Sequence, residues 1–171
     1  MLKKLTSYQK SSLIYILIIA LGTLLDQITK ALATAYLKPI FDFPLIEGVF
    51  HLTYTENSGA AFGMLSNNRW VFMIFSSVMI VAMCVYLFLP KKQSRPLFCM
   101  AMAAVVAGGI GNMIDRIVYG KVVDFFYFKL INFAIFNVAD VFVCVGAGLM
   151  LLDVLMEIAE EAKKEKEKAD K

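Results

Sequence analysis

Charge is what this sequence has least of. Asp, Glu, Lys and Arg make up 18% of its 171 residues, and histidine occurs once, as His51 in a polar stretch. With no serine or cysteine nucleophile beside it, His51 reads as a loop-packing or solvent-facing residue. The three cysteines, Cys84, Cys99 and Cys144, lie in apolar runs without metal-ligand spacing, so they read as small buried hydrophobes. These shortages leave no transition-metal site, and no metal or other cofactor is expected. The net charge is only +3. With no basic, aromatic-studded face, nucleic acid is not an expected partner. A cleaved leader is not expected either. Ala33-Thr34-Ala35 imitates a cleavage site, but Asp26 and Lys30 interrupt the apolar run before it. A processed leader is shorter and uncharged up to its small residues.

Apolar sequence is what remains. Sixty per cent of the residues are hydrophobic and the mean hydropathy is +0.70, a composition for lipid rather than water. The length fits one domain. A helix needs about 20 apolar residues to cross a hydrocarbon core of about 30 Å. Four stretches qualify, at about 11–31, 70–89, 96–118 and 133–156. The third opens on Pro96, a residue suited to a first helical turn. Basic residues mark the sides. Lys3, Lys4 and Lys10 precede the first stretch, Lys91, Lys92 and Arg95 separate the second from the third, and the segment 157–171 mixes five lysines with acids. By the positive-inside rule both termini are cytoplasmic, and the connections 33–69 and 119–132 face outward. The segment 157–171 lacks apolar periodicity and reads as a charged cytoplasmic tail, either a solvated helix extension or disorder.

The first outer connection is more than a linker. Phe41-Asp42-Phe43 and the run Val49 to Thr55 are β-branched and aromatic with partial alternation, punctuated by Pro44 and Gly48. They predict a small sheet at about 37–66, with Gly59 and Gly63 marking the return to the second helix. In the second connection, Val122-Val123-Asp124-Phe125-Phe126-Tyr127-Phe128 is too short to span. It predicts an extended interfacial segment whose aromatics anchor among headgroups or flank acyl chains. The expected fold is a membrane all-α domain of four transmembrane helices with a small extracytoplasmic β-cradle between helices one and two.

The polar residues of the spans converge on one depth. Asp26 and Lys30, spaced i,i+4, share a face at the outer end of the first helix. Asn112, Asp115 and Arg116 do so at the outer end of the third, and Asn137 and Asp140 at the outer start of the fourth. Asp124 lies in the connection between them. Ionisable groups at membrane depth are costly, and they pair or line a site. Asp26 with Lys30, and Asp115 with Arg116, fit ion pairing. Asp124 and Asp140 remain without an obvious nearby base. Two such carboxylates side by side share one proton, which is what an aspartic peptidase uses: one accepts a proton from water, the other donates to the scissile carbonyl. Asn137 is placed to orient or stabilise as an uncharged donor. Ala104, Gly108 and Asn112, and beside them Ala103, Ala107 and Gly111, form stripes of small residues that let helices three and four approach.

The motifs also carry a resemblance. Asp26-Gln27-Ile28-Thr29-Lys30, Asn57-Ser58-Gly59-Ala60-Ala61-Phe62-Gly63, Gly108-Gly109-Ile110-Gly111-Asn112-Met113-Ile114-Asp115-Arg116, Val122-Val123-Asp124-Phe125 and Phe136-Asn137-Val138-Ala139-Asp140 stand in this order. The set resembles that of lipoprotein signal peptidase (signal peptidase II) across about residues 10 to 155. The resemblance implies a single polytopic membrane peptidase domain over 1–156, in a bacterial inner membrane. Its reaction would be aspartic endoproteolysis, removing the signal peptide of a diacylglyceryl-modified prolipoprotein just before the lipidated cysteine. It makes Asp124 and Asp140 the catalytic dyad and puts Asn57, Asn112, Arg116 and Asn137 around the site. Asp26 and Lys30 fall in its first-helix motif, where structural support is expected, as it is for Asp115. Ala134 departs from the pattern, since many relatives have proline there. The expected partners are the lipid-modified substrate and membrane lipids, with no obligate protein partner. A small proton- or ion-coupled transporter is the alternative, because intramembrane aspartates serve that role too. Its weakness is the second helix, polar only at Ser76 and Ser77. A Mg²⁺-dependent lipid phosphotransferase would need a run of closely spaced aspartates on one helix, which is absent.

Overall fold

The computed structural model describes residues 6–58, 69–89 and 95–169. The return at Gly59 and Gly63, the cradle beyond residue 58, and Lys91 and Lys92 lie outside the described residues. Helix α1 runs Ser7–Leu32 and continues as a π-helical turn, Ala33–Leu37. Strands β1 (Asp42–Ile46) and β2 (Phe50–Asn57) follow, then α2 (Arg69–Phe88), α3 (Pro96–Val118), β3 (Val122–Tyr127), a short 3-10 turn (Lys129–Ile131) and α4 (Val138–Ala169).

Local chemistry sets the helix ends. At the start of α1 the Thr6 hydroxyl accepts from the backbone N–H of Gln9 at 3.2 Å, and the Gln9 side chain accepts from the Thr6 N–H at 2.9 Å. This reciprocal box satisfies amides that have no partner inside the helix. It starts the helix before the expected residue 11. At the other end of α3, Tyr119 is the C-cap and Gly120 takes φ +74°. That left-handed turn, cheap for glycine, sends the chain straight into β3.

Among the described residues, three helical segments are long and apolar enough to cross a membrane: Ser7–Leu37, Pro96–Val118 and Val138–Lys168. Helix α2 is apolar along Met73–Phe88. Leu13, Leu17, Leu21 and Leu24 of α1 point outward and are exposed, the surface of a helix solvated by lipid. Helix α3 is central and packs against the other three. It can do so because its contact face is small: Ala103, Ala107, Gly108 and Gly111 are buried. A Cβ at Gly108 would run into the backbone carbonyl of Ala139 and a methyl of Val143 on α4, and one at Gly111 into the Asp26 carboxylate. Such close approach is the main source of attraction between helices in lipid.

The sheet is antiparallel in the order β1-β2-β3. A cradle built only between the first two helices is therefore incomplete. Val122–Tyr127, expected as a free interfacial segment, is its third strand. The reason is tertiary: β2 has a second edge whose amides and carbonyls need partners, and α3 delivers residues 122–127 beside it. Pro44 is accommodated because β1 is an edge strand. Of the aromatics after Asp124, Phe125 is buried with Ala33, Leu37 and Tyr54, while half-buried Phe126 and exposed Phe128 pack against Phe50 and Phe136. His51, expected as a loop-packing or solvent-facing residue, is instead a buried strand residue of β2, opposite Pro44. Its Nδ1 lies 2.8 Å from Asp42 Oδ2, and its Nε2 accepts the Gly48 N–H at 3.3 Å.

Two boundaries differ from expectation. Helix α4 begins at Val138 rather than near 133. The Phe136 carbonyl accepts from the N–H groups of Phe125 and Phe126, and the Phe136 N–H donates back to Phe126. Residues bonded to a strand in this way cannot also start a helix. At its other end α4 runs past 156 to Ala169, so the charged segment takes the helix-extension form, and Arg95 pairs with Asp153 and Glu157 of this helix.

The close α3–α4 contact makes a prediction. Gly108→Ala should lower stability by about 1–3 kcal/mol, the usual cost of overpacking. Gly148→Ala should be near neutral, because a Cβ there meets nothing within 4 Å. Thermal unfolding in detergent, run on both variants, checks this. Equal melting temperatures would contradict it.

Candidate active site

Asp124 and Asp140 reach one site from different elements. Asp124 is on β3, opposite Thr55 of β2, and is buried. Asp140 is in the first turn of α4. Asn137, wholly buried, joins them. Its side-chain Nδ2 donates to Asp124 Oδ1 at 2.6 Å, and its backbone N–H donates to Asp140 Oδ2 at 3.1 Å. In return Asn137 Oδ1 accepts the Asp140 N–H at 3.0 Å. The Asn137–Asp140 exchange has the form of a capping box, with Asn and Asp in the two roles. A carboxylate is at home there, because a helix N-terminus carries partial positive charge.

Two more amides complete the ring. Asn57 Nδ2 donates to Asp124 Oδ2 at 3.1 Å, and Asn112 Nδ2 donates to Asp140 Oδ1 at 2.8 Å. Arg116 donates to the Asn112 carbonyl at 3.1 Å, and its guanidinium acts on the charges of Asp140, Asp124 and Asp115. Burial, and then the neighbouring Asp140 carboxylate, push Asp124 up to about 6, against the opposing bonds from Asn57 and Asn137. The site opens into a cavity of about 770 Å³. Asn57, Asn112, Arg116, Asp124 and Asp140 form its polar wall, and Phe136, Val141 and Val145 are among its apolar lining.

Behind the site lies a second network. Lys30 Nζ is 2.8 Å from Asp26 Oδ2, 3.1 Å from Asp115 Oδ2 and 2.9 Å from Asn112 Oδ1. These three acceptors use all three of its donors. Asp26 Oδ1 accepts the Ala139 N–H at 2.9 Å, and Asp115 Oδ2 accepts the Val123 N–H at 3.3 Å. The first bond caps α4 from α1; the second ties β3 to α3. Asp26 with Lys30 pair as expected. Asp115 does not depend on its neighbour Arg116 for a cation: it pairs across helices with Lys30. All nine residues expected around a site, Asp26, Lys30, Asn57, Asn112, Asp115, Arg116, Asp124, Asn137 and Asp140, thus belong to one contiguous cluster.

One member was not anticipated. Gln27 Nε2 donates to Asp26, to Asp115 Oδ1 at 3.0 Å and to the Gly111 carbonyl at 3.2 Å. Its position beside Asp26 in an apolar helix is the signal that marks it.

Comparison with known proteins places this geometry. A family profile described as Signal peptidase (SPase) II matches residues 18–156. A lipoprotein signal peptidase of Brevibacillus brevis is 46% identical over 144 residues, covering 84% of this chain and 95% of that protein. One of Halalkalibacterium halodurans is 40% identical over 156 residues, covering 90% of this chain and 99% of that protein. A solved structure of a bacterial membrane enzyme, at 2.3 Å resolution, superimposes with a TM-score of 0.78 at 32% identity, over 85% of this chain and 90% of the other.

The Lys30 network should be the most sensitive point of the fold. Lys30→Met leaves Asp26 and Asp115 buried without their shared cation, which costs about 3–5 kcal/mol when one partner of a buried pair is removed. Denaturation of the detergent-solubilised variant measures it. A loss under about 1 kcal/mol, the range of exposed pairs, would show that the network is not what holds the helices.

Proposed function

The chain belongs to the signal peptidase II family, and we propose that it removes the signal peptides of prolipoproteins as an aspartic endopeptidase whose catalytic residues are Asp124 and Asp140. The observation that carries this reading is Asn137, which holds one oxygen of each carboxylate at 2.6 and 3.1 Å beside a single cavity. The pair works with one shared proton. The ionised carboxylate takes a proton from water, and the oxygen so activated attacks the scissile carbonyl carbon. The protonated carboxyl gives its proton to the carbonyl oxygen. When the tetrahedral species collapses, a proton passes to the leaving nitrogen, the C–N bond breaks, and the pair regains its single proton. Asn57, Asn112 and Asn137 orient the carboxylates, and Arg116 offsets negative charge as it moves between them.

The substrate is a diacylglyceryl-modified prolipoprotein, cut before its lipidated cysteine. The site sits at one end of α1, α3 and α4 under the sheet, so a peptide bond held at the membrane surface by its lipid reaches it without extraction. That anchoring supplies binding energy far from the reacting bond. In this reading α2 is the fourth membrane crossing, residues 1–156 form one domain, and the protein sits in a bacterial cell membrane with both termini cytoplasmic. The positive flanks at Lys3, Lys4 and Lys10 support that orientation.

Purified protein is incubated with diacylglyceryl-modified prolipoprotein, and the released peptide is weighed by mass spectrometry. Wild type should cut before the lipidated cysteine. Asp124→Asn and Asp140→Asn should each lose about 10²–10⁴-fold in rate, the range of a lost acid–base group. Substantial turnover by either variant would sink the dyad assignment.

The pH profile gives a second test. Asp124 is raised to about 6, so the pair keeps its proton up to that pH and loses it above. The value of kcat/KM should fall on the alkaline side with a midpoint near pH 6 in wild type. Asn57→Ala removes a donor that favours the ionised carboxylate, so the midpoint should move up, by about 1 unit for one lost bond. A downward shift would contradict the assignment.

A further inference from the structure

A second charge cluster stands beside the site, and the reaction does not use it. Glu56 precedes Asn57 on β2. Its Oε1 accepts from Lys38 Nζ at 3.1 Å and from the Tyr54 hydroxyl at 2.9 Å, and its Oε2 pairs with Lys121. The three donors come from three places: Lys38 from the end of the π-helical turn, Tyr54 from β2 itself, and Lys121 from the residue that opens into β3. The bond from Lys121, then those from Tyr54 and Lys38, hold Glu56 down to about 2, so it stays ionised at any working pH.

The ladder explains why a clamp is needed there. β2 and β3 slip in register between Leu52 and Thr55, so regular pairing is interrupted just before the stretch that faces the site. Beyond the slip, Thr55 lies opposite Asp124, Glu56 opposite Val123 and Asn57 opposite Val122. Asn57 is the last paired position of the strand, opposite Val122 and two residues past the slip, so the setting of its side chain depends on how that strand end is fixed. Its 3.1 Å bond to Asp124 requires that it be held.

We propose that Glu56 is a positioning residue: clamped by Lys38, Tyr54 and Lys121, it fixes the end of β2 so that Asn57 keeps its amide on Asp124. This rests on Asp124 being catalytic. It gives Glu56, which lines the cavity, and its partners Lys38 and Lys121 a positioning role although none bonds to the dyad.

The pH profile separates this role from its rivals. Asp124 is faced by Asp140 from α4, by Arg116 from α3, by Lys30 from α1 and by the amides of Asn57 and Asn137. Removing a nearby negative charge by itself would favour the ionised carboxylate and lower the alkaline midpoint of kcat/KM. Loosening Asn57 does the opposite. Glu56→Ala should therefore raise the midpoint, by roughly half a pH unit for a partly lost bond. Glu56→Gln, which keeps an acceptor for the same donors, should restore much of the wild-type profile. Because the effect passes through Asn57, Glu56→Ala combined with Asn57→Ala should show no shift beyond that of Asn57→Ala. A midpoint that falls or stays put, or shifts that add in the double variant, would overturn the proposal. If Glu56→Ala does not fold, Lys121→Met combined with Asn57→Ala carries the same test. A through-space loss of the Lys121 charge adds to the Asn57 effect, and lost positioning does not. Asp124→Asn is assayed alongside. If it retains activity, the dyad reading fails; if it is inactive while Glu56→Ala leaves the midpoint unmoved, only the role of Glu56 fails.

Discussion

The ammonium of Lys30 is the group on which the arrangement depends. It is buried at membrane depth, where an unpaired charge is prohibitive, and it meets its cost by binding three acceptors at once: Asp26, Asp115 and Asn112. Each acceptor then does a second task. Asp26 receives the Ala139 amide and so holds the start of α4. Asp115 receives the Val123 amide and so holds the start of β3. Asn112 presents its own amide to Asp140. One charge thereby sets the relative position of α1, α3, α4 and β3, the elements that bring Asp124 and Asp140 together.

The four carboxylates near this depth divide by their partners. Asp26 and Asp115 share the Lys30 ammonium. Asp124 and Asp140 are bound by neutral amides, from Asn57, Asn112 and Asn137. An amide orients a carboxylate without fixing its charge, whereas a lysine at 2.8 Å strongly favours ionisation. Asn112 stands between the two pairs, accepting from Lys30 and donating to Asp140. The small face of α3 lets α4 close against it, and the side of α4 turned to the cavity presents Val141 and Val145.

Much of this was legible in the chain. Hydropathy located the helices, because lipid demands about 20 apolar residues per crossing. The i,i+3 and i,i+4 spacing of Asp26 with Lys30, of Asn112 with Asp115 and Arg116, and of Asn137 with Asp140 placed polar groups on common faces. The partial alternation around Val49 to Thr55 marked a strand. Local rules also misled in definite ways. Asp115 beside Arg116 looked like a pair, yet adjacent residues on a helix do not face each other, and its cation is on another helix. Phe133 to Phe136 is apolar enough to extend a helix, but its backbone is engaged by β3.

What the sequence determined by itself was therefore which groups could be charged, at what depth, and on which helix faces. These follow from hydrophobicity and helical period, which are properties of neighbouring residues. What only the tertiary structure decided was pairing between segments distant along the chain: Lys30 with Asp115, Asn57 with Asp124, Glu56 with Lys121, and β3 with β2. A hydrogen bond needs its donor within about 3 Å of its acceptor. No period along one chain segment encodes such a distance to another; it is set only when the helices have packed.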